Sequence, residues 1–151
     1  MKESNRTRAV HRAIGALQQL ADLFQRRRSE LAAQAGLSEQ QWRVLEEISA
    51  EHFMPSLFAR SRQSSPAAVS KIIRQLAEKE LISVSISRDD GRQRRYQLTA
   101  RGKRVIKQLR ELRQQAIEKV WLRFDAADLR RFSEFSSRLI ESIETHAKQK
   151  E

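Results

Sequence analysis

The sequence predicts a mainly α-helical protein with one small β-hairpin. Three observations predict it. Four Gly and two Pro in 151 residues leave few chain breakers. Apolar residues recur at helical spacing over most of the chain. One stretch, Ile82-Ser83-Val84-Ser85-Ile86-Ser87, changes to an alternating period, which marks a strand.

Each element follows from local chemistry. Val10, Ile14, Leu17, Ala21 and Phe24 give a first helix from about Arg8 to Arg28, with Arg26-Arg27-Arg28 suited to its negative end. Gly36 breaks that pattern. Ser38 can cap a second helix, with Gln41 completing a capping box and Leu37 and Trp42 spaced for a hydrophobic staple. Leu45 and Ile48 continue its buried face. Pro55 opens a short third helix containing Leu57, Phe58 and Ala59. Ser65-Pro66 starts a fourth, in which Val69, Ile72, Ile73 and Leu76 face inward. Asp89-Asp90-Gly91 is a turn signal, and Arg94, Tyr96 and Leu98 belong to the return strand. Thr99 can cap a long helix through Val105, Leu109, Leu112, Ala116 and Val120. Asp125 caps the last helix, with Asp128 at its third position, Phe124 and Leu129 placed for a staple, and Phe132, Phe135, Leu139 and Ile143 as its apolar stripe.

Composition excludes several classes. Without cysteine there is no disulfide, thiol nucleophile or thiolate metal site. No Gly-rich nucleotide loop is present, and no His, Asp and Glu fall at metal-ligand spacing, so neither an enzyme nor a cofactor or metal is expected. Asp125 and Asp128 are better explained as caps than as paired catalytic carboxylates. No apolar run approaches the roughly 20 residues of a membrane span, and the N-terminus lacks a signal-peptide core. A cytoplasmic protein without membrane partners is expected.

Charge points to a partner. The chain has 30 Lys and Arg against 19 Asp and Glu, a net +11. From Arg60 to Arg104 there are 12 basic and 4 acidic residues, net +8, which leaves 18 and 15, net +3, for the rest. An excess focused in this way reads as a footprint for a polyanion. A solvated basic face is the plainer alternative.

Three short helices, a hairpin and two long helices give the order of a winged helix-turn-helix with a helical dimerisation region. Residues 1–36 would supply the N-terminal helix of that region, residues 37–99 the DNA-binding domain, and residues 100–151 the C-terminal dimerisation helices. Ser65, Ala67 and Ala68 make the start of the fourth helix small enough to approach base edges in double-stranded DNA. Ser70 is placed for a phosphate, and Lys71 and Arg74 for bases or phosphates. Arg88, Arg92 and Arg94 belong to a hairpin long enough to enter a minor groove, with Arg94 and the adjacent Arg95 the more suited to phosphates. A two-fold homodimer would place its two reading helices about 34 Å apart.

These residues resemble the MarR-type transcriptional regulators. The resemblance is strongest in Leu37-Ser38-Glu39-Gln40-Gln41-Trp42-Arg43-Val44-Leu45, in Ser65 to Leu76 continuing through Lys79 and Leu81-Ile82, and in Arg88-Asp89-Asp90-Gly91-Arg92 followed by Leu98-Thr99-Ala100-Arg101-Gly102. The resemblance implies a homodimer on palindromic operators, with Asp90 holding the wing and Arg92 entering the minor groove. It also implies a repressor released by a small aromatic, phenolic or lipophilic effector between the DNA-binding lobe and the dimerisation helices. His11, Arg12 and Trp42 are the candidate effector positions; a solvated or interface role for the first two, and a core role for Trp42, stand beside that reading. One departure is that Arg62-Gln63-Ser64 replaces the family's Leu-Gly-Val-like turn. Either the turn finds a non-Gly solution, with Gln63 the candidate for it and Phe53, Met54 and Phe58 the candidates to fill the vacated space, or the third helix is re-angled. A non-specific architectural DNA-binding protein is the alternative function, since the same basic footprint would serve it.

Overall fold

Ser4 opens the first helix, α1 (Asn5–Gln34), by accepting a hydrogen bond from the Thr7 N–H at 3.2 Å. The computed structural model describes residues 4–51, 53–62, 64–86 and 93–149. After α1 come α2 (Glu39–Ser49), α3 (Pro55–Ser61), α4 (Pro66–Glu78), the strands β1 (Ile82–Ile86) and β2 (Arg94–Leu98), α5 (Ala100–Val120), a single 3-10 turn (Trp121–Arg123) and α6 (Ala126–Lys148). The chain divides into two compact units, Met1–Leu112 and Arg113–Glu151.

The helix α1 runs past the expected end at Arg28. Ser29-Glu30-Leu31-Ala32-Ala33-Gln34 contains no breaker, and fully buried Ala32 anchors the added turns. The triple-Arg run is therefore not a terminal cap. Arg27 pairs with Glu30 at 2.8 Å, while Arg28 reaches across to α2. The helix stops where Gly36 takes φ +73°. Its N–H donates to the Ala33 carbonyl and the Leu37 N–H to the Ala32 carbonyl, both at 3.0 Å, the paired bonds of a Schellman end.

The capping box of α2 forms as expected. Ser38 Oγ accepts from the Gln41 N–H, and Gln41 Oε1 accepts from the Ser38 N–H, each at 3.1 Å. Leu37 and Trp42 are both buried in the main core, with Val44, Leu45, Ile48, Leu76, Leu81, Ile82, Ile106 and Leu109. In α4, Val69 and Leu76 are buried and Ile72 and Ile73 half-buried. The helix ends in a second Schellman turn, with Glu80 at φ +58° in the place Gly usually takes.

The strands pair antiparallel, Ile82 opposite Leu98, Val84 opposite Tyr96 and Ile86 opposite Arg94. Alternation does not bury the whole face of β1. Only Ile82 is buried; Val84 and Ile86 stand exposed because two strands alone extend beyond the core. Phe53 meets Phe58 and Tyr96 edge to face, with ring centroids 5.7 and 5.6 Å away. Phe53 and Phe58 thus pack beside the core, whereas Met54 is half exposed and fills nothing. Ser64 N–H closes the end of α3 on the Ala59 carbonyl at 2.8 Å; Gln63 and His52 lie outside the described residues.

Thr99 ties the hairpin to α5. Its Oγ1 accepts from the Gly102 N–H at 3.0 Å and donates to the Glu80 carbonyl at 2.6 Å, while its N–H donates to the Leu81 carbonyl at 3.1 Å. In the second unit, Asp125 Oδ1 accepts from the Asp128 N–H at 2.7 Å and starts α6. Phe124 is exposed and Leu129 half-buried, so the expected staple does not enclose both residues. Phe132, Phe135, Leu139 and Ile143 are all exposed on α6. On α1, Val10, Ile14, Leu17 and Phe24 are likewise exposed.

Candidate nucleic-acid interface

The outward surface of α4 follows from its inward one. Burying Val69, Ile72, Ile73 and Leu76 leaves Ala67, Ala68, Ser70, Lys71 and Arg74 exposed on the other faces. Ser65 Oγ accepts from the Ala68 N–H at 3.1 Å, so Ser65 is a cap as well as a surface residue. Pro66 occupies the first helical position, where its missing N–H is harmless. The result is a rigid helix start with small side chains, followed one turn later by two cations.

The hairpin adds more positive charge. Arg94 and Arg95 are exposed on β2, on opposite faces, since one pairs in register with Ile86 and the other with Ser85. Ser87, Arg88, Asp90 and Arg92 lie outside the described residues. Arg60 and Arg62 are exposed on and just after α3, and Arg62 lies 4.0 Å from Glu47 and 5.8 Å from the Phe58 ring.

Behind this surface is a polar frame. Glu39 is 8 % exposed and receives hydrogen bonds from Arg28 Nε at 3.1 Å, Arg43 Nε and Gln25 Nε2. Burial by itself would raise its pKa. The bonds from Arg43 and Arg28 outweigh that effect and hold the carboxyl below the usual Glu range. Arg28 also stacks over Trp42 at 4.8 Å. From α5, Arg110 donates to Glu46 at 3.1 Å and to Ser49 at 2.8 Å. Sequence reasoning missed these roles of Arg28, Glu39 and Arg110, because partners 11 and 64 residues apart leave no local signal.

The candidate effector residues are not brought together. His11 and Arg12 are exposed on α1. Trp42 is 2 % exposed, with Nε1 donating to Glu46 at 3.4 Å, which makes it a core residue. Arg28, which touches Trp42, is 17 residues along α1 from His11, about 25 Å at 1.5 Å per residue. Among the described residues no group of three or more His, Asp or Glu could hold a metal ion, and no helix is long and apolar enough to cross a membrane.

A helix with this exposed basic start, carried on a three-helix core and followed by a hairpin, defines a winged helix-turn-helix protein. Solved structures share the fold. A MarR family transcription regulator superposes with a TM-score of 0.85 at 19 % identity, covering 95 % of each chain. The MepR–DNA complex of S. aureus gives 0.70 at 14 % identity over 85 % of this chain and 95 % of that one. YusO of Bacillus subtilis gives 0.70 at 18 % over 92 % and 99 %. Among curated proteins, none matches the sequence. Residues 37–93, a little over a third of the chain, match the model of the MarR family.

Proposed function

We propose that this protein is a homodimeric, sequence-specific transcriptional regulator, most simply a repressor that occludes a promoter at a pseudo-palindromic operator. The observation that carries the reading is α4, which buries one apolar face and exposes Ala67, Ala68, Ser70, Lys71 and Arg74. A helix so fixed can enter a major groove in one register. Arg94 and Arg95 would dock on phosphates, while Arg88 and Arg92, oriented by Asp90, would take the minor groove. The similar fold of MepR has been solved on DNA, which supports the same use here.

The exposed apolar stripes of α1 and α6 support pairing with a second copy. A lone chain would leave Ile14, Leu17, Phe132 and Phe135 in water, and covering them is worth roughly 25 cal/mol per Å². A small aromatic or phenolic effector that fixed a different spacing of the two DNA-binding lobes would weaken operator binding by its differential affinity for the two arrangements. His11 and Arg12 are the exposed positions offered to the acidic group of such a ligand.

The test is selection of purified protein against fragments of its own genome at two salt concentrations. A short inverted repeat that persists at the higher salt is expected. The basic excess between Arg60 and Arg104 favours one other reading, a non-specific architectural protein. Broad recovery without a motif, collapsing as salt rises, would put that reading first.

A further inference from the structure

Two polar side chains in the first turn of α2 are almost removed from water. Glu39 is bonded to α1, whereas Gln41, also 8 % exposed, is bonded to α4 and the turn beyond it. Gln41 Oε1 accepts from the Ser38 N–H at 3.1 Å and from Lys79 Nζ at 3.0 Å. Its Nε2 donates to Gln75 Oε1 at 3.0 Å. Lys79 Nζ also donates to the Gly36 carbonyl at 2.7 Å. The amide of Gln41 has one workable orientation, because both groups that meet its oxygen are donors only.

The placement of Gln75 on α4 and of Lys79 at its C-cap matters. Lys71, Gln75 and Lys79 are successive members of one i, i+4 row. Lys71 is exposed, and the other two are half-buried against α2 and its preceding turn. Apolar contacts at Val69 and Leu76 attract without direction and resist a small roll of the helix weakly. The hydrogen bonds at Gln75 and Lys79 are directional and resist it strongly. A roll of about 15° moves an atom about 6 Å from the axis by roughly 1.6 Å, beyond the tolerance of a base contact.

We propose that Gln41, Gln75 and Lys79 are specificity-determining positioning residues. Together they fix the roll of α4 and so decide where Lys71 and Arg74 meet base edges. The proposal rests on the reading of α4 as the helix that reads DNA. Gln41 cannot itself touch DNA, since it is buried between α2 and α4.

The test compares binding to a duplex selected by the parent protein with binding to a random duplex. The ratio of the two affinities is the readout, and helicity and Tm confirm folding. Gln75→Met and Gln41→Met should each lower the ratio by about tenfold or more, the size of one misplaced base contact, with affinity for random duplex little changed. Gln75→Glu still offers an acceptor to Gln41 Nε2 and should keep the ratio. Lys79→Met supplies the same test if Gln41→Met fails to fold. An unchanged ratio in Gln41→Met or Lys79→Met overturns the proposal. So does a loss confined to Gln75→Met, which would make Gln75 a direct reader. A parent protein with no preference, seen before any substitution, overturns the functional reading itself.

Discussion

At the scale of single residues, Gly102 shows how little room some positions leave. A Cβ added there would sit 2.0 Å from the Leu81 carbonyl oxygen, the same oxygen that accepts from the Thr99 N–H. Backbone on both sides cannot yield cheaply, so Gly102→Ala should cost about 2 kcal/mol or more despite its better helix propensity. A denaturant titration checks this; an unchanged midpoint would refute the close approach. Glu39 makes a different demand. Glu39→Gln should destabilise the protein by about 1–2 kcal/mol at neutral pH, since charge-assisted bonds to Arg28 and Arg43 become neutral ones. The folded-state pKa lies below the unfolded one, so the carboxylate's contribution is complete above the ordinary Glu range. It is lost as pH falls through the folded value. Melting curves of parent and variant should therefore converge in acid and separate towards neutrality.

At the scale of elements, α4 stands or falls on its two ends. Its start depends on Ser65, and Ser65→Ala should cost about 1 kcal/mol of stability by removing the acceptor for the Ala68 N–H. Its end places Glu80 at φ +58°, where a side chain is strained. Glu80→Gly should raise stability by up to about 1 kcal/mol, read as a higher Tm. Between these ends, Lys71 and Arg74 can be sorted by salt. A residue that neutralises one phosphate should lower the slope of log K against log salt by about 0.9 when replaced by Ala. A residue that reads a base should instead cost about 1–3 kcal/mol on the selected duplex and little on a random one.

At the scale of the whole molecule, the exposed stripes of α1 and α6 are the clearest unfinished surfaces. Phe135→Asp puts a charge into an apolar stripe that is exposed in the single chain, so the folded chain should tolerate it and a dimer should not. Sedimentation velocity should give twice the chain mass for the parent protein and the chain mass for the variant. Loss of operator binding should accompany the change, because two half-sites bound by one linked dimer gain from effective concentration.

Much of this was legible in the sequence, for physical reasons that can be named. Capping at Ser38, Ser65, Thr99 and Asp125 is decided by residues three apart, and all four caps form. The periodicity of Val69, Ile72, Ile73 and Leu76 likewise fixed which face of α4 turns outward, and with it Ala67, Ala68, Ser70, Lys71 and Arg74. Other features needed the tertiary structure. Helix α1 continues past Arg28 because Ala32 finds a core made by distant elements. Trp42 is buried in that same core, and Val84 and Ile86 stay exposed although Ile82 of the same strand is buried. The sequence by itself determined the elements, their caps and the basic surface, since these depend on neighbours within about one helical turn. Only the tertiary structure decided that Glu39 binds Arg28, that Gln41 binds Gln75 and Lys79, and that Gly102 presses on Leu81. Those contacts join residues 11 to 38 apart, and chain folding alone brings such residues together.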